Sequence, residues 1–136
     1  MSHVHRGTPE RPGLVLGLDR GGSCHGMAFR IEPGRWEDTL AYLRSREQVT
    51  MVYLERNKLI HLLSSGRPAK AVTYIVDRAH KQYAGKMDDR TVIDHIRQGQ
   101  GISGACTEYV LNTVAHLREM RIRDEHLERI AGKLKA

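Results

Sequence analysis

The chain has 136 residues and a mass of 15.4 kDa, a length that suits one domain with one core. Lys and Arg number 22 against 16 Asp and Glu, which gives a formal charge of +6 and a pI of about 9.6. Apolar residues are 40% and charged residues 28% of the chain, which excludes collagen, a disordered tract and a coiled coil. No run approaches the ~18 apolar residues of a membrane span. No charged start leads into an apolar segment as in a signal peptide, so a cytoplasmic setting is expected. Two cysteines, Cys24 and Cys106, make no disulfide framework. One Trp and one Phe leave the core to aliphatic residues. The cations are scattered among acids, with no interleaved aromatics, so a solvated surface is expected and not a nucleic-acid face.

In chain order, residues 1–12 are polar and turn-rich and read as loop. Residues 13–19 form an apolar run, Arg20-Gly21-Gly22 supplies a turn, and residues 23–31 follow, so a β-hairpin is expected. Glu32-Pro33-Gly34 breaks it. Residues 35–48 read as a helix, with Trp36, Leu40 and Leu43 on one face. Residues 50–54 and 59–63 are two strand candidates, and a turn at residues 64–68 follows. Residues 71–76 are rich in β-branched side chains and make the strongest strand. Residues 80–86 read as loop. Asp88 or Asp89 caps a helix that ends near Gln98 and carries Val92, Ile93 and Ile96. A Gly-rich break at residues 99–104 precedes a helix over residues 106–120, with Val110, Val114 and Leu117 in register. Asp124 caps a last helix that bears Leu127, Ile130, Ala131 and Leu134. Strands first and helices later is the α+β pattern.

Glu47 is the unusual residue of the first helix. At about 100° per residue, Trp36, Leu40, Leu43 and Glu47 fall within roughly 60° of one another. The carboxylate therefore extends an apolar stripe at the helix C-terminus, where both burial and the helix dipole oppose a negative charge. That environment suits a general acid and base. The pattern by itself favours a frayed end, with Glu47 paired in solvent to Arg44 or Arg46, since charged residues are rarely buried. The other candidates are weaker. His3-x-His5 lies in a loop, and the remaining histidines lack metal-ligand spacing. Cys24 and His25 are neighbours in an expected strand and point to opposite faces, which argues against a nucleophilic pair. Gly17-x-x-x-Gly21-Gly22 lacks the Lys-Ser/Thr of a phosphate loop. Tyr83 and Tyr109 each lie near a Gly-rich break, where an aromatic packs the loop or lines a pocket mouth.

Residues 5–24 read His-Arg-Gly-Thr-Pro-Glu-Arg-Pro-Gly-Leu-Val-Leu-Gly-Leu-Asp-Arg-Gly-Gly-Ser-Cys, and residues 26–30 read Gly-Met-Ala-Phe-Arg. Tyr42-Leu-Arg-Ser-Arg-Glu47 follows, then residues 71–77 with Arg78, Tyr83-Ala-Gly85, Ser103-Gly104 with Tyr109, and Thr113-Val-Ala-His-Leu117. Together these stretches resemble the ChaC branch of the γ-glutamylcyclotransferases. The resemblance implies a mixed β-barrel flanked by helices and an enzyme that cleaves glutathione to 5-oxoproline and Cys-Gly. It implies no cofactor and no metal, and a small-molecule substrate as the partner. Glu47 matches the family's general base and acid. Tyr109, and less directly Tyr53, match expected substrate contacts, and for both plain packing stays open. The resembling chains open with a strand and a Tyr-Gly-Ser-Leu loop whose amides hold the γ-glutamyl group, and these 136 residues contain no such motif. Residues 1–136 are therefore expected to form a single, N-terminally shortened domain whose barrel lacks its first strands. Cys106 stands where the family usually has Asn. A truncated, weakly active or inactive homologue and, on charge alone, a basic nucleic-acid-binding module are the alternatives.

Overall fold

The computed structural model describes residues 1–47 and 52–136. The chain divides into two compact units: Met1–Leu16 with Ala84–Ala136, and Gly17–Tyr83.

Three helices build the first unit, and two of them begin at an aspartate whose side chain satisfies a leading N–H group. The first is α2 (Asp89–Gln98), preceded in the chain by α1 (Trp36–Glu47) of the other unit. Asp88 caps it by accepting from the Thr91 backbone N–H at 2.9 Å. Helix α3 spans Cys106–Glu119, and α4 spans Glu125–Lys135. Asp124 caps α4 by accepting from the Leu127 N–H at 2.9 Å. Ile93, Ile96, Cys106, Val110 and Ile130 form the core, with Leu14, Val92, Tyr109 and Leu134 packed around it. At its rim, Asp89 accepts from Arg129 and Lys133 of α4 at 2.8 and 2.9 Å.

The N-terminal segment is laced onto the turn between α2 and α3. Ser2 and Gly13 exchange backbone hydrogen bonds of 2.8 and 3.0 Å. Ile102 and Ser103 donate their N–H groups to Val4 and His5. That turn carries the short antiparallel pair β3 (Gln100–Gly101) and β4 (Gly104–Ala105). A Cβ at Gly99 would lie 2.5 Å from the Arg6 carbonyl oxygen and 2.7 Å from the Gly13 Cα, so only glycine admits this approach. Cys106, fully buried, lies beside the crossing. Its Sγ accepts from the Leu14 N–H at 3.3 Å and donates to the Leu14 carbonyl at 3.0 Å. Burial pushes this thiol above its ordinary pKa. Cys24, in contrast, is exposed, and both cysteines are free thiols.

The second unit pairs one helix with one hairpin. A 3-10 turn at Pro33–Arg35 leads into α1 (Trp36–Glu47). Strands β1 (Tyr53–His61) and β2 (Pro68–Val76) pair antiparallel from Tyr53↔Val76 to His61↔Pro68. Gly66 closes the connecting turn with φ of 68°, a conformation open to glycine at little cost. Beside the hairpin, Leu18 forms a single parallel bridge with Ile75, accepting from the Val76 N–H at 2.7 Å. The next residue, Asp19, accepts from Arg78 Nε at 2.8 Å and from the Tyr83 hydroxyl at 3.0 Å.

Three expectations are corrected. The γ-glutamylcyclotransferase-like mixed β-barrel is not formed among the described residues. There are two separate two-stranded sheets flanked by helices, and neither closes. A barrel needs each strand paired along both edges. Here β1 and β2 pair with each other, and the one additional bridge is that of a single residue, Leu18. The expected hairpin over residues 13–31 is also absent. Gly13 and Leu18 make isolated bridges to other segments, and residues 20–30 are exposed without regular structure. The turn glycines do hold: Gly21 and Gly22 have φ of 89° and 66°. Finally, the two strand candidates at 50–54 and 59–63 are one strand, β1, and Gln48, Thr50 and Met51 lie outside the described residues.

One substitution separates close approach from conformational freedom. Gly99→Ala is expected to lower the melting temperature by several degrees, because its Cβ meets fixed backbone. Gly132→Ala is expected to raise stability by about 0.5–1 kcal/mol, since Gly132 lies inside α4 facing open space. Paired thermal melts measure both signs.

Acid should act on the ionic ties. Hydrogen bonding from Arg78 is the main cause that holds Asp19 down to about 2 from its ordinary 3.8, and Glu55 is held below its ordinary 4.5 chiefly by Arg44. Carboxylates with depressed folded-state pKa values stabilise above their unfolded pKa and lose that contribution as pH falls through the folded one. The melting temperature should therefore fall between about pH 4.5 and 2, and Asp19→Asn should make that fall shallower. Calorimetry across this range measures it.

Candidate active site

Glu47 is the last residue of α1. Leu40, Leu43 and Glu47 are half-covered, together with Thr39, and the other residues of the helix are exposed. The depth of the stripe does not match expectation. No residue of α1 is buried, and Trp36 at its start is 41% exposed. Glu47 is thus a half-exposed carboxylate at a helix terminus and not a buried one. The two cations that solvent pairing would assign to it are engaged elsewhere. Arg44 donates from Nε and Nη2 to Glu55 at 2.9 and 2.8 Å. Arg46 lies over the Tyr42 ring, 5.9 Å from its centroid.

The antiparallel ladder arranges the hairpin face that Arg44 of α1 reaches. Glu55 is the register partner of Tyr74, and Tyr53 that of Val76. Partners across a ladder point to the same face, as do residues two apart along a strand. Tyr53, Glu55, Tyr74 and Val76 therefore share one face. Tyr74 donates its hydroxyl to Glu55 at 3.2 Å. The Tyr74 phenol is pushed above its ordinary pKa by burial first, then by the hydrogen bond and charge of Glu55, with a further push from the Glu47 charge. Tyr53 packs along Gly17, where a Cβ would lie 3.3 Å from the ring.

Tyr109 belongs to the other unit, on α3. Its hydroxyl accepts from the Leu16 N–H at 3.1 Å, and the Arg6 guanidinium lies 5.5 Å from the ring centroid. Arg6 also donates to the Ala105 carbonyl at 3.2 Å. The acceptor role leaves the phenol O–H to serve as a donor.

The structure thus brings Glu47 and Tyr53 to one unit and assigns Tyr109 to the other. Glu55 and Tyr74 were not singled out by the sequence. Reading residues 53–61 as one strand would have revealed them, because the turn at Gly66 then sets Glu55 opposite Tyr74. Among the described residues, no group of three or more His, Cys, Asp and Glu could hold a metal ion. No helix among them is long and apolar enough to cross a membrane. A shallow cavity of about 370 Å³ in the helical unit, lined by Arg90, Ile93, Asp94, Arg97 and Lys133, contains none of the expected site residues.

Comparison with known proteins adds four findings. The glutathione-specific gamma-glutamylcyclotransferase of Escherichia coli (strain K12) is 28% identical over 130 residues, which cover 96% of this chain and 56% of that protein. Glutathione-specific gamma-glutamylcyclotransferase 1 of Danio rerio is 31% identical over 141 residues, covering 98% of this chain and 71% of that protein. The chain therefore spans little more than half the length of its bacterial relative. A crystal structure of a glutathione-specific gamma-glutamyl cyclotransferase from yeast superposes with a TM-score of 0.77 at 19% identity, over 99% of this chain and 80% of that one. The family model described as ChaC-like protein matches residues 1–136, and the chain belongs to the ChaC-like family.

Proposed function

We propose that this chain catalyses the γ-glutamylcyclotransferase reaction on glutathione, yielding 5-oxoproline and Cys-Gly. The observation that carries this reading is the family match along all of residues 1–136, with Glu47 at the half-exposed end of α1 in the matching Arg-Glu position. The nucleophile is the substrate's own α-amine. Its nitrogen forms a bond to the γ-carbonyl carbon and closes a five-membered ring as the bond from that carbon to the cysteine nitrogen breaks. Holding the reactive conformer supplies much of the rate in such an intramolecular step. Glu47 takes a proton from the attacking α-amino group and returns one to the departing nitrogen of Cys-Gly. Tyr53, in the same unit as Glu47, is a proposed contact of the peptide. The reaction needs no Ser or Cys nucleophile, no metal and no cofactor.

A second reading, a weakly active homologue, is favoured by the absence of Tyr-Gly-Ser-Leu from these residues. Amides of such a loop would stabilise the oxyanion, and loss of one donor typically costs ~10²–10³ in rate. The assay is 5-oxoproline release from glutathione. Glu47→Gln is expected to lower kcat by about 10²–10⁴. No product above that variant's baseline overturns the proposal, and a rate only slightly above it selects the second reading.

A further inference from the structure

A side-chain clasp joins the last turn of α1 to the hairpin. The Glu55 carboxylate receives three hydrogen bonds. Arg44 Nε at 2.9 Å and the Tyr74 hydroxyl at 3.2 Å meet one oxygen, and Arg44 Nη2 at 2.8 Å meets the other. A two-pronged guanidinium fixes the plane of its partner as well as the distance. Arg44 precedes Glu47 by three residues, which places both along the same side of the helix. Glu55 and Tyr74 are paired in register, so the hairpin presents the far half of the clasp as a rigid unit. The charge of Glu47 is felt at the same phenol that closes the clasp.

Such a pair contributes little to stability. Arg44 is 49% and Glu55 31% exposed, and ion pairs in that setting are worth little. What the geometry does supply is orientation. The helix that carries Glu47 buries none of its residues, so packing alone does not fix its rotation.

We propose that Arg44, Glu55 and Tyr74 are positioning residues that fix the last turn of α1 and so hold the Glu47 carboxylate in one orientation toward the hairpin. This rests on the reading of Glu47 as the acid–base residue. Glu55 touches no reacting atom and acts through Glu47. The Arg118–Glu128 pair, which joins two helices of the other unit, has the same chemistry and serves as the control.

Kinetics and a spectroscopic titration on the full chain test it. Glu55→Gln and Arg44→Lys are expected to lower kcat about tenfold with KM within about twofold, since a misaimed proton carrier slows the step without weakening binding. The lysine variant keeps the charge and loses the fork. Glu128→Gln should leave kcat unchanged. An unchanged kcat in both Glu55→Gln and Arg44→Lys overturns the proposal, as does an equal loss in Glu128→Gln. The second arm is independent of activity. A ring-fluorinated tyrosine at position 74 is titrated by fluorine NMR. Glu47→Gln and Glu55→Gln should each lower the pH at which the phenol ionises, because each removes a neighbouring negative charge. No movement in Glu47→Gln overturns the placement of Glu47. A wild-type chain that releases no 5-oxoproline overturns the proposed function alone, and the titration still decides the clasp.

Discussion

Main chain lies directly on main chain where the N-terminal segment crosses the turn between α2 and α3, and the helical unit depends on that contact. With no side chain at Gly99, the backbone of Arg6 and Gly13 comes within reach. The approach sets Leu14 against the Cys106 thiol, which satisfies both polar groups of that residue. Two residues on, the Leu16 N–H meets the Tyr109 hydroxyl. Buried backbone groups need partners, and here a cysteine and a tyrosine from one helix supply them. The Gly-rich sequence between the helices is therefore a packing surface and not merely a flexible link.

The hairpin unit is held on different terms. Val52 is its one buried apolar residue among those described, and its order comes from directional contacts: the nine-residue ladder, the Asp19 ties to Arg78 and Tyr83, and the Arg44–Glu55 fork. Hydrogen bonds and ion pairs specify geometry more than they add net stability. A unit built this way suits the presentation of one carboxylate at a defined angle, whereas the helical unit, with its aliphatic core, suits rigidity.

The sequence exposed the elements that announce themselves locally. Asp88 and Asp124 are capping residues ahead of amphipathic runs, and helices begin at both. The β-branched run around Val72 and Ile75 became β2. The segment around Leu14 and Leu18 misled for a physical reason: its apolar residues serve tertiary contacts, Leu14 against the helical core and Leu18 beside β2, and not a hairpin of their own. Strand β1 looked like two because Arg56, Asn57 and Lys58 interrupt its apolar residues. A strand exposed along most of its length has no reason to alternate. That the sheets stay open was beyond local reading, since closure is a property of nonlocal pairing, and the barrel expectation came from the resemblance alone. At the candidate site, the helical position of Glu47 was legible from spacing, but its half exposure was not. The apolar stripe it extends is only partly covered, and coverage is decided by elements far away in the chain.

The contrast between the two thiols has a redox consequence. Cys106 is enclosed, and burial keeps it protonated, so it is a poor nucleophile toward disulfides and peroxides. Cys24 stands in the open. In a pool of thiol peptides and their disulfides, mixed-disulfide exchange would fall on Cys24, while the sulfur that supports Leu14 stays reduced. The fold thereby separates the sulfur it needs for structure from the one its surroundings can modify.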